Sequence, residues 1–579
     1  MAVHADRLLL YARTLSNLRP SQIVYLARRR VIAWPAFLPA RQAAEARTDF
    51  ELQRGIERRS PTIDERELRF LNVAKSFDPD RFDWTSADMT RLWRYNLHYF
   101  DYILDRARSA PGIARLLDDW IARNQVGIGE AWEPYPVSLR IVNWVKLFVR
   151  DEFRGRLPAR WLSSLHQQAN WLEGNLEYHL LANHLLKNGK ALLFAGAFLA
   201  GADARRWLRK GLRILTEQAR EQILDDGGHF ERSPMYHALV VEDYLDALNV
   251  LRSAGDAGCD AARKLMTDKT RAALNFLRAM RYPDGTIPLF NDAALGIAPT
   301  FDELAEYAGR IIGYRTGPGP RDIHIARFDC SGYFIIRDGE RMLVVDCGHI
   351  GPAYQCGHAH CDTLSFEMVL DGRKVIVDGG VYDYEDSAMR RYVRSTAAHN
   401  TAMIDGCEQS QMWGAFRVGR RAAPAGADIG ITDDATAWFV GSHNGFAHLP
   451  GKPVHSRRIE YNRTTQWTIV DSFSGHGEHA IDSFLHLHPD LSARLDGNRV
   501  VIGDGHERVA TIDVVHPASI VLERGWHCPE FGKKQSNYVI KVSSRRALPF
   551  DLTYRVTGAA TASSGGGPHV METTTSSWR

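Results

Sequence analysis

The chain has 579 residues, 45% apolar and 24% charged, with a formal net charge of +3. That length predicts two to four domains with cores large enough to dispense with disulfides, and the near-balanced charge argues against a non-specific nucleic-acid binder. Seven cysteines at irregular spacing, without a CxxC pair, indicate neither a zinc-finger nor a disulfide framework and favour reduced thiols. Sixty of the 72 basic residues are Arg, either a coding bias or a supply of guanidiniums suited to carboxylates and sulfates.

The N-terminus, MAVHADRLLLYARTLSNLRP, holds an apolar run of about five residues, too short for a signal peptide. No stretch approaches the ~20 apolar residues of a membrane span. The expectation is a soluble protein, cytoplasmic or periplasmic. Residues 1–60 read as an Arg-rich helical extension broken at Pro20, Pro35 and Pro39. From 61 to 322 the periodicity is helical, in segments such as LRIVNWVKLFVRDEF and LLANHLLKNGKALLFAGAFL, which predicts an all-α domain without strands. Near residue 323 short alternating runs take over. SGYFIIRDGERMLVVDCG and LSFEMVLDGRKVIVDGG each fold around an Asp-Gly turn, and strand-like runs continue to 557, predicting an antiparallel β-sandwich. The stretch 558–579 is low-complexity and reads as a disordered tail.

Three constellations carry chemistry. In His179-Leu-Leu-Ala-Asn183-His184-Leu-Leu-Lys187-Asn188, polar residues share a face of an otherwise apolar helix, where they form a ligand site or a hydrogen-bonded seam. In Gly227-Gly-His-Phe-Glu231-Arg-Ser233-Pro234-Met-Tyr236-His237, a loop re-enters a helix with Ser233 as N-cap and Pro234 at the first position. Tyr236 would then point from the first turn towards a cleft. The third is Gly357-His358-Ala-His360-Cys-Asp362, followed by Asp378 and His399-Asn400-Thr401. An alternating strand would turn His358 and His360 to one side, and three strand ends could then converge on a metal ion.

Together with Leu92-Trp-Arg-Tyr-Asn-Leu-His98-Tyr-Phe100 and Trp132-x-Pro-Tyr135-Pro-x-Ser-x-Arg140-Ile-x-Asn143-Trp144, and with Arg394-Ser-Thr-Ala-Ala-His399-Asn-Thr, these motifs resemble the heparinase II/III superfamily of polysaccharide lyases. The resemblance runs from about residue 68 to 545. It implies an (α/α) toroid followed by a β-sandwich, and β-elimination on a uronic-acid polymer: a glycosaminoglycan, alginate or a bacterial exopolysaccharide. On that pattern Asn183 and His184 would neutralise the substrate carboxylate, Tyr236 would protonate the leaving oxygen and His358 would be the base. His360, Asp378 and His399 would hold a divalent ion, zinc by ligand type, in a structural role. Tyr135, Arg140, Asn143, Trp144, His237 and Arg394 become candidates for substrate binding. Some oligoalginate-cleaving relatives add a second catalytic tyrosine from the β-domain, for which Tyr382, Tyr384 and Tyr392 are the nearby choices. Competing readings are an (α/α)-barrel hydrolase using Glu231 and Asp226, and a non-catalytic polysaccharide-binding factor.

Overall fold

A computed structural model of the chain describes residues 2–31, 44–57, 62–64, 66–78, 82–105, 108–254, 259–317, 322–463, 466–515 and 519–559. The expected disordered tail beyond 559 lies outside them.

Two helices, α1 (Ala2–Leu15) and α2 (Pro20–Val31), open the chain. A three-stranded antiparallel meander follows, Thr62–Asp64, Glu67–Phe70 and Val73–Ser76, where the sequence reading expected only helices. Its second turn is made by Leu71 and Asn72, both at positive φ (53° and 63°) between the paired Phe70 and Val73. Such a two-residue turn matches the strand twist, and four-residue strands are too short for their alternation to stand out against helical neighbours.

The toroid is formed by α3 (Arg91–Tyr99), α4 (Ala110–Arg123), α5 (Pro134–Phe148), α6 (Ala159–Gly174), α7 (Ala182–Phe198), α8 (Ala202–Gln222), α9 (Pro234–Ala254), α10 (Asp260–Met280) and α11 (Phe301–Ile312). Their apolar faces merge into one core containing Trp93, Trp120, Trp144, Leu186, Phe194 and Leu245. Helix α7 is buried along nearly its whole length. It approaches α8 through glycines: a Cβ on Gly196 would lie 2.3 Å from the Leu208 amide nitrogen, and one on Gly211 2.5 Å from that of Leu193.

The second half is antiparallel β. A five-stranded sheet, His324–Phe328, Tyr333–Asp338, Arg341–Asp346, Phe366–Leu370 and Arg373–Ile376, runs in sequence order. Its last hairpin turns on Asp371 and Gly372 at φ 49° and 79°, the geometry expected of an Asp-Gly turn. An eight-stranded sheet and a four-stranded sheet complete the sandwich around Phe439, Ile459, Trp467, Ile540 and Tyr554. The two halves meet where Phe276, Met280, Tyr282 and Phe290 pack on Tyr333, Ile335, Val344 and Val369 of the five-stranded sheet. Arg232 bolts this seam by donating to the Ser331 carbonyl (3.0 Å) and the Cys330 carbonyl (3.1 Å).

Deep in the sandwich, Arg457 donates to both carboxylate oxygens of Asp471 (2.6 and 2.8 Å) and to the carbonyls of Leu364 (2.7 Å) and Asn400. His455 completes the set at 2.9 Å from Asp471. All three side chains are fully buried, so removal of one cation strands a buried charge. Arg457→Ala is expected to destabilise the protein by about 3–5 kcal/mol, read as a lowered urea midpoint with an unchanged slope.

Candidate active site

A cleft of about 2680 Å³ runs between toroid and sandwich, and Asn183, His184, Tyr236, His358 and Tyr384 line one wall of it. Each is positioned by its local structure. Leu181, just before α7, and Ala182, its first residue, take positive φ (62° and 49°), with the Ala182 carbonyl held by Gln222 (2.8 Å). That bend places Asn183 in the first turn. Its amide nitrogen donates to both oxygens of Glu231 (3.0 and 3.1 Å), and its backbone NH donates to the same carboxylate (3.0 Å). His184 contacts Glu177 through Nδ1 (3.1 Å), and Asn188 fixes that carboxylate in turn (3.0 Å). Burial opposes a charge on His184, but the Glu177 carboxylate outweighs it and raises the imidazole above its ordinary value.

Ser233 caps α9, accepting from the Tyr236 NH (3.3 Å) and donating to the Asp292 carbonyl (2.7 Å). The Tyr236 ring packs on His358 at 4.1 Å between centroids, tilted by 32°, and its hydroxyl lies 3.0 Å from that of Tyr384. Burial, reinforced by the neighbouring phenol, lifts Tyr236 well above the usual tyrosine range, so it stays protonated. His358 and His360 lie on a loop rather than the expected strand. What aligns them is Asp292, whose buried carboxylate meets His358 Nδ1 (2.9 Å) and His360 Nε2 (2.9 Å). Arg390 of α12 (Ala388–Val393) grips the same carboxylate with two nitrogens, one at 2.8 Å.

Of the residues expected to bind substrate, Tyr135 and Asn143 line the cleft, Tyr135 beside the His184 ring (4.6 Å). The other four do not reach it. Arg140 is fully buried, donating to Gln168 (2.8 Å) and the Ala131 carbonyl (2.8 Å) under the Trp120 ring. Trp144 belongs to the toroid core. His237 pairs with the Ala273 carbonyl (2.9 Å) beside Phe276. Arg394 supports the loop that carries His358 and His360, donating to the Ala359 carbonyl (3.1 Å). These are framework roles: neither guanidinium lines the cleft, and the one Arg140 nitrogen without a hydrogen-bond partner, Nη2, is buried in the toroid.

Sequence reasoning missed Asp292, Arg390 and Glu177, and left Tyr384 unassigned among three tyrosines. Tyr392 accepts from the Trp526 NH (3.2 Å) and so faces the sandwich. Of the two hydrolase carboxylates, Asp226 is committed to Ser331 (2.7 and 2.9 Å) and Glu231 to Asn183. Neither lines the cleft.

Comparison with known proteins agrees with this geometry. Residues 72–307 match the family description "Heparinase II/III N-terminus", and residues 320–565 match "Heparinase II/III-like, C-terminal". The chain belongs to the heparinase II/III family. It is 26% identical over 318 residues to the heparin-sulfate lyase of Pedobacter heparinus, covering 50% of this chain and 47% of that one; the chain thus spans about half the length of that relative. It is also 25% identical to the FtsZ-localized protein C of Caulobacter vibrioides, covering 83% of this chain and 84% of that protein. A crystal structure of heparinase III superposes with a TM-score of 0.66 at 19% identity, covering 83% of this chain and 80% of that one, which places the toroid and sandwich in the fold of this family.

A metal centre in a heparinase II/III chain calls for donors without other partners. His360 Nδ1 and His399 Nε2 are both buried and lack hydrogen-bond partners. With Asp362 they offer ligand atoms that all lie within 4.8 Å of one another. Asp362 thus faces the two imidazoles, while Asp378, expected as the third ligand, holds His399 Nδ1 from behind (2.7 Å). Two imidazoles and a carboxylate suit zinc. We expect protein purified without a histidine tag to carry close to one divalent ion. His360→Ala should lower metal content below about a tenth of an equivalent and reduce the melting temperature. Asp362→Asn should weaken metal retention more than Asp378→Asn in elemental analysis. A metal-free wild type would return these histidines to plain hydrogen bonding.

Proposed function

We propose that the protein is a polysaccharide lyase that cleaves a uronic-acid-containing polymer by β-elimination. The observation that carries this reading is the convergence, across two domains, of an amide and imidazole pair (Asn183, His184) with a protonated phenol and a second imidazole (Tyr236, His358) on one cleft wall. Those are the groups that elimination across C4–C5 of a uronate needs. A glycosaminoglycan is the favoured class of polymer, because curated relatives are named heparin-sulfate lyases; alginate and bacterial exopolysaccharides are the other uronate classes.

In the proposed reaction the C6 carboxylate sits between the Asn183 amide and the His184 imidazole. Charge develops on that carboxylate as the C5–H bond breaks, and fixed donors there lower the barrier. His358 takes the C5 proton. Its Nδ1 side is turned to Asp292, and Nε2, 3.6 Å from Glu231, is the nitrogen that acts as base. The C5 electron pair becomes the C4=C5 double bond, the C4–O4 bond breaks, and Tyr236 delivers its proton to O4. Tyr236 suits this acid role because burial favours its protonated form. Tyr384, hydrogen-bonded to Tyr236, orients that hydroxyl. A zinc ion held by His360, His399 and Asp362 would supply rigidity to the loop that carries His358; the proton transfers belong to the side chains.

The products absorb in the ultraviolet as unsaturated uronates, whereas hydrolysis or simple binding produces no such absorbance. A panel of uronate polymers read this way tests the reading, and silence across the panel would sink it. Tyr236→Phe should keep the fold and lower turnover by at least ~10²-fold, the scale for losing a positioned proton donor. Asn183→Ala should lower kcat more than it raises KM, because its contact strengthens as charge develops; an effect confined to KM would make Asn183 a ground-state binder.

A further inference from the structure

We propose that α1 and α2 form a docking surface for an anionic lipid bilayer. The proposal concerns where the protein sits and does not rest on its reaction. Among the described residues, fourteen large apolar side chains stand exposed, and six of them are aliphatic side chains between Leu8 and Leu26. Leu8 is 69% exposed, Leu15 53% and Val24 63%, with Leu9, Ile23 and Leu26 beside them. Leu8 and Leu15 are two helical turns apart and share a face of α1. No other short segment of the described chain concentrates exposed aliphatic side chains in this way, and such clusters mark interaction sites.

The two helices are held to the body by their opposite side. Tyr11 meets Trp413 edge-on (5.3 Å) and Tyr25 packs on Tyr178 (4.9 Å). Arg19 lies over the Tyr354 ring at 3.8 Å and pairs with Glu221. Gln22 is buried and donates to the Tyr354 carbonyl (3.3 Å). The exposed leucines are therefore the outer side of an anchored helical pair.

Charge selects the occupant. Residues 7–29 contain five Arg and no acidic residue; Arg13, Arg19 and Arg29 turn to Gln411, Glu221 and His179, and Arg7 and Arg28 stand exposed with the aliphatic side chains. Exposed aliphatic side chains beside the guanidiniums of Arg7 and Arg28 complement an interface in which anionic headgroups overlie an apolar layer. An acidic protein partner would call for a groove into which its own side chains fit, and the outward-pointing leucines provide none. Arg29 also lines the cleft, so a membrane on this face would lie beside the cleft mouth.

The test is co-sedimentation of the full chain with vesicles of phosphatidylcholine and phosphatidylglycerol, against vesicles of phosphatidylcholine alone. Wild type should pellet with the anionic vesicles, and less so at high salt. Leu8→Glu/Leu15→Glu/Val24→Glu should reduce the bound fraction about tenfold or more with an unchanged circular dichroism spectrum. Arg7→Gln/Arg28→Gln, which leaves the apolar side chains in place, should abolish the preference for anionic vesicles. Wild type remaining in the supernatant, or both variants pelleting like wild type, overturns the proposal. So does a concentration-dependent dimer, seen by sedimentation velocity, that the triple substitution abolishes while vesicle binding stays absent; the face would then belong to a second copy of the chain.

Discussion

A single buried carboxylate organises the site. Asp292 receives His358 Nδ1, His360 Nε2 and the two-pronged guanidinium of Arg390, and its backbone carbonyl receives the Ser233 hydroxyl that caps α9. Its own NH returns to the His358 carbonyl (3.0 Å). An ion this deep is costly to desolvate and persists only when every lone pair is engaged and a cation lies against it. Arg390 meets that condition: burial pushes the Asp292 carboxyl towards its neutral form, yet the guanidinium holds it well below the ordinary carboxylate range. One residue thereby ties the toroid helix that presents Tyr236 to the loop that presents His358, and that loop to α12.

Around this centre the electrostatics divide the labour. Beside Glu177 the His184 imidazole is drawn towards its charged form, which suits a receptor for an anion. Tyr236 is pushed the other way, towards a neutral phenol. Both titrations are shifted upwards, and what separates their behaviour is the group itself: burial keeps a phenol neutral, whereas for the imidazole burial is overcome by the Glu177 carboxylate. Glu231 links the halves, holding Asn183 while standing 3.6 Å from His358 Nε2.

Much of this was legible in the chain, and the exceptions have a common cause. Helical periodicity and Asp-Gly turns located the toroid and the sandwich, and the Ser233-Pro234 cap located Tyr236. Polar residues embedded in motifs were assigned by type, yet type does not tell which side of an element faces solvent. Arg140 and Arg394 share motifs with cleft residues and serve backbone carbonyls one layer below. Asp292 carries no local signature at all. It lies 66 residues from His358 and 98 from Arg390 in sequence, and its importance arises only from three-dimensional closure. The meander at 62–76 was missed because its pairing is local and too brief to leave a period.

The hydrogen bond between the Tyr236 and Tyr384 hydroxyls has a further implication. Each phenol owns one proton, and only one of the two can donate along the bond they share. The pair therefore offers the cleft a single outward-facing proton at rest, supplied by whichever partner is not giving its own to the other. In the proposed reaction such an acid would discharge once and need recharging, from the proton collected by the base or from solvent, before a second turnover. Because the two rings come from different domains, a small slip of toroid against sandwich would break the pair and leave the two phenols to act alone.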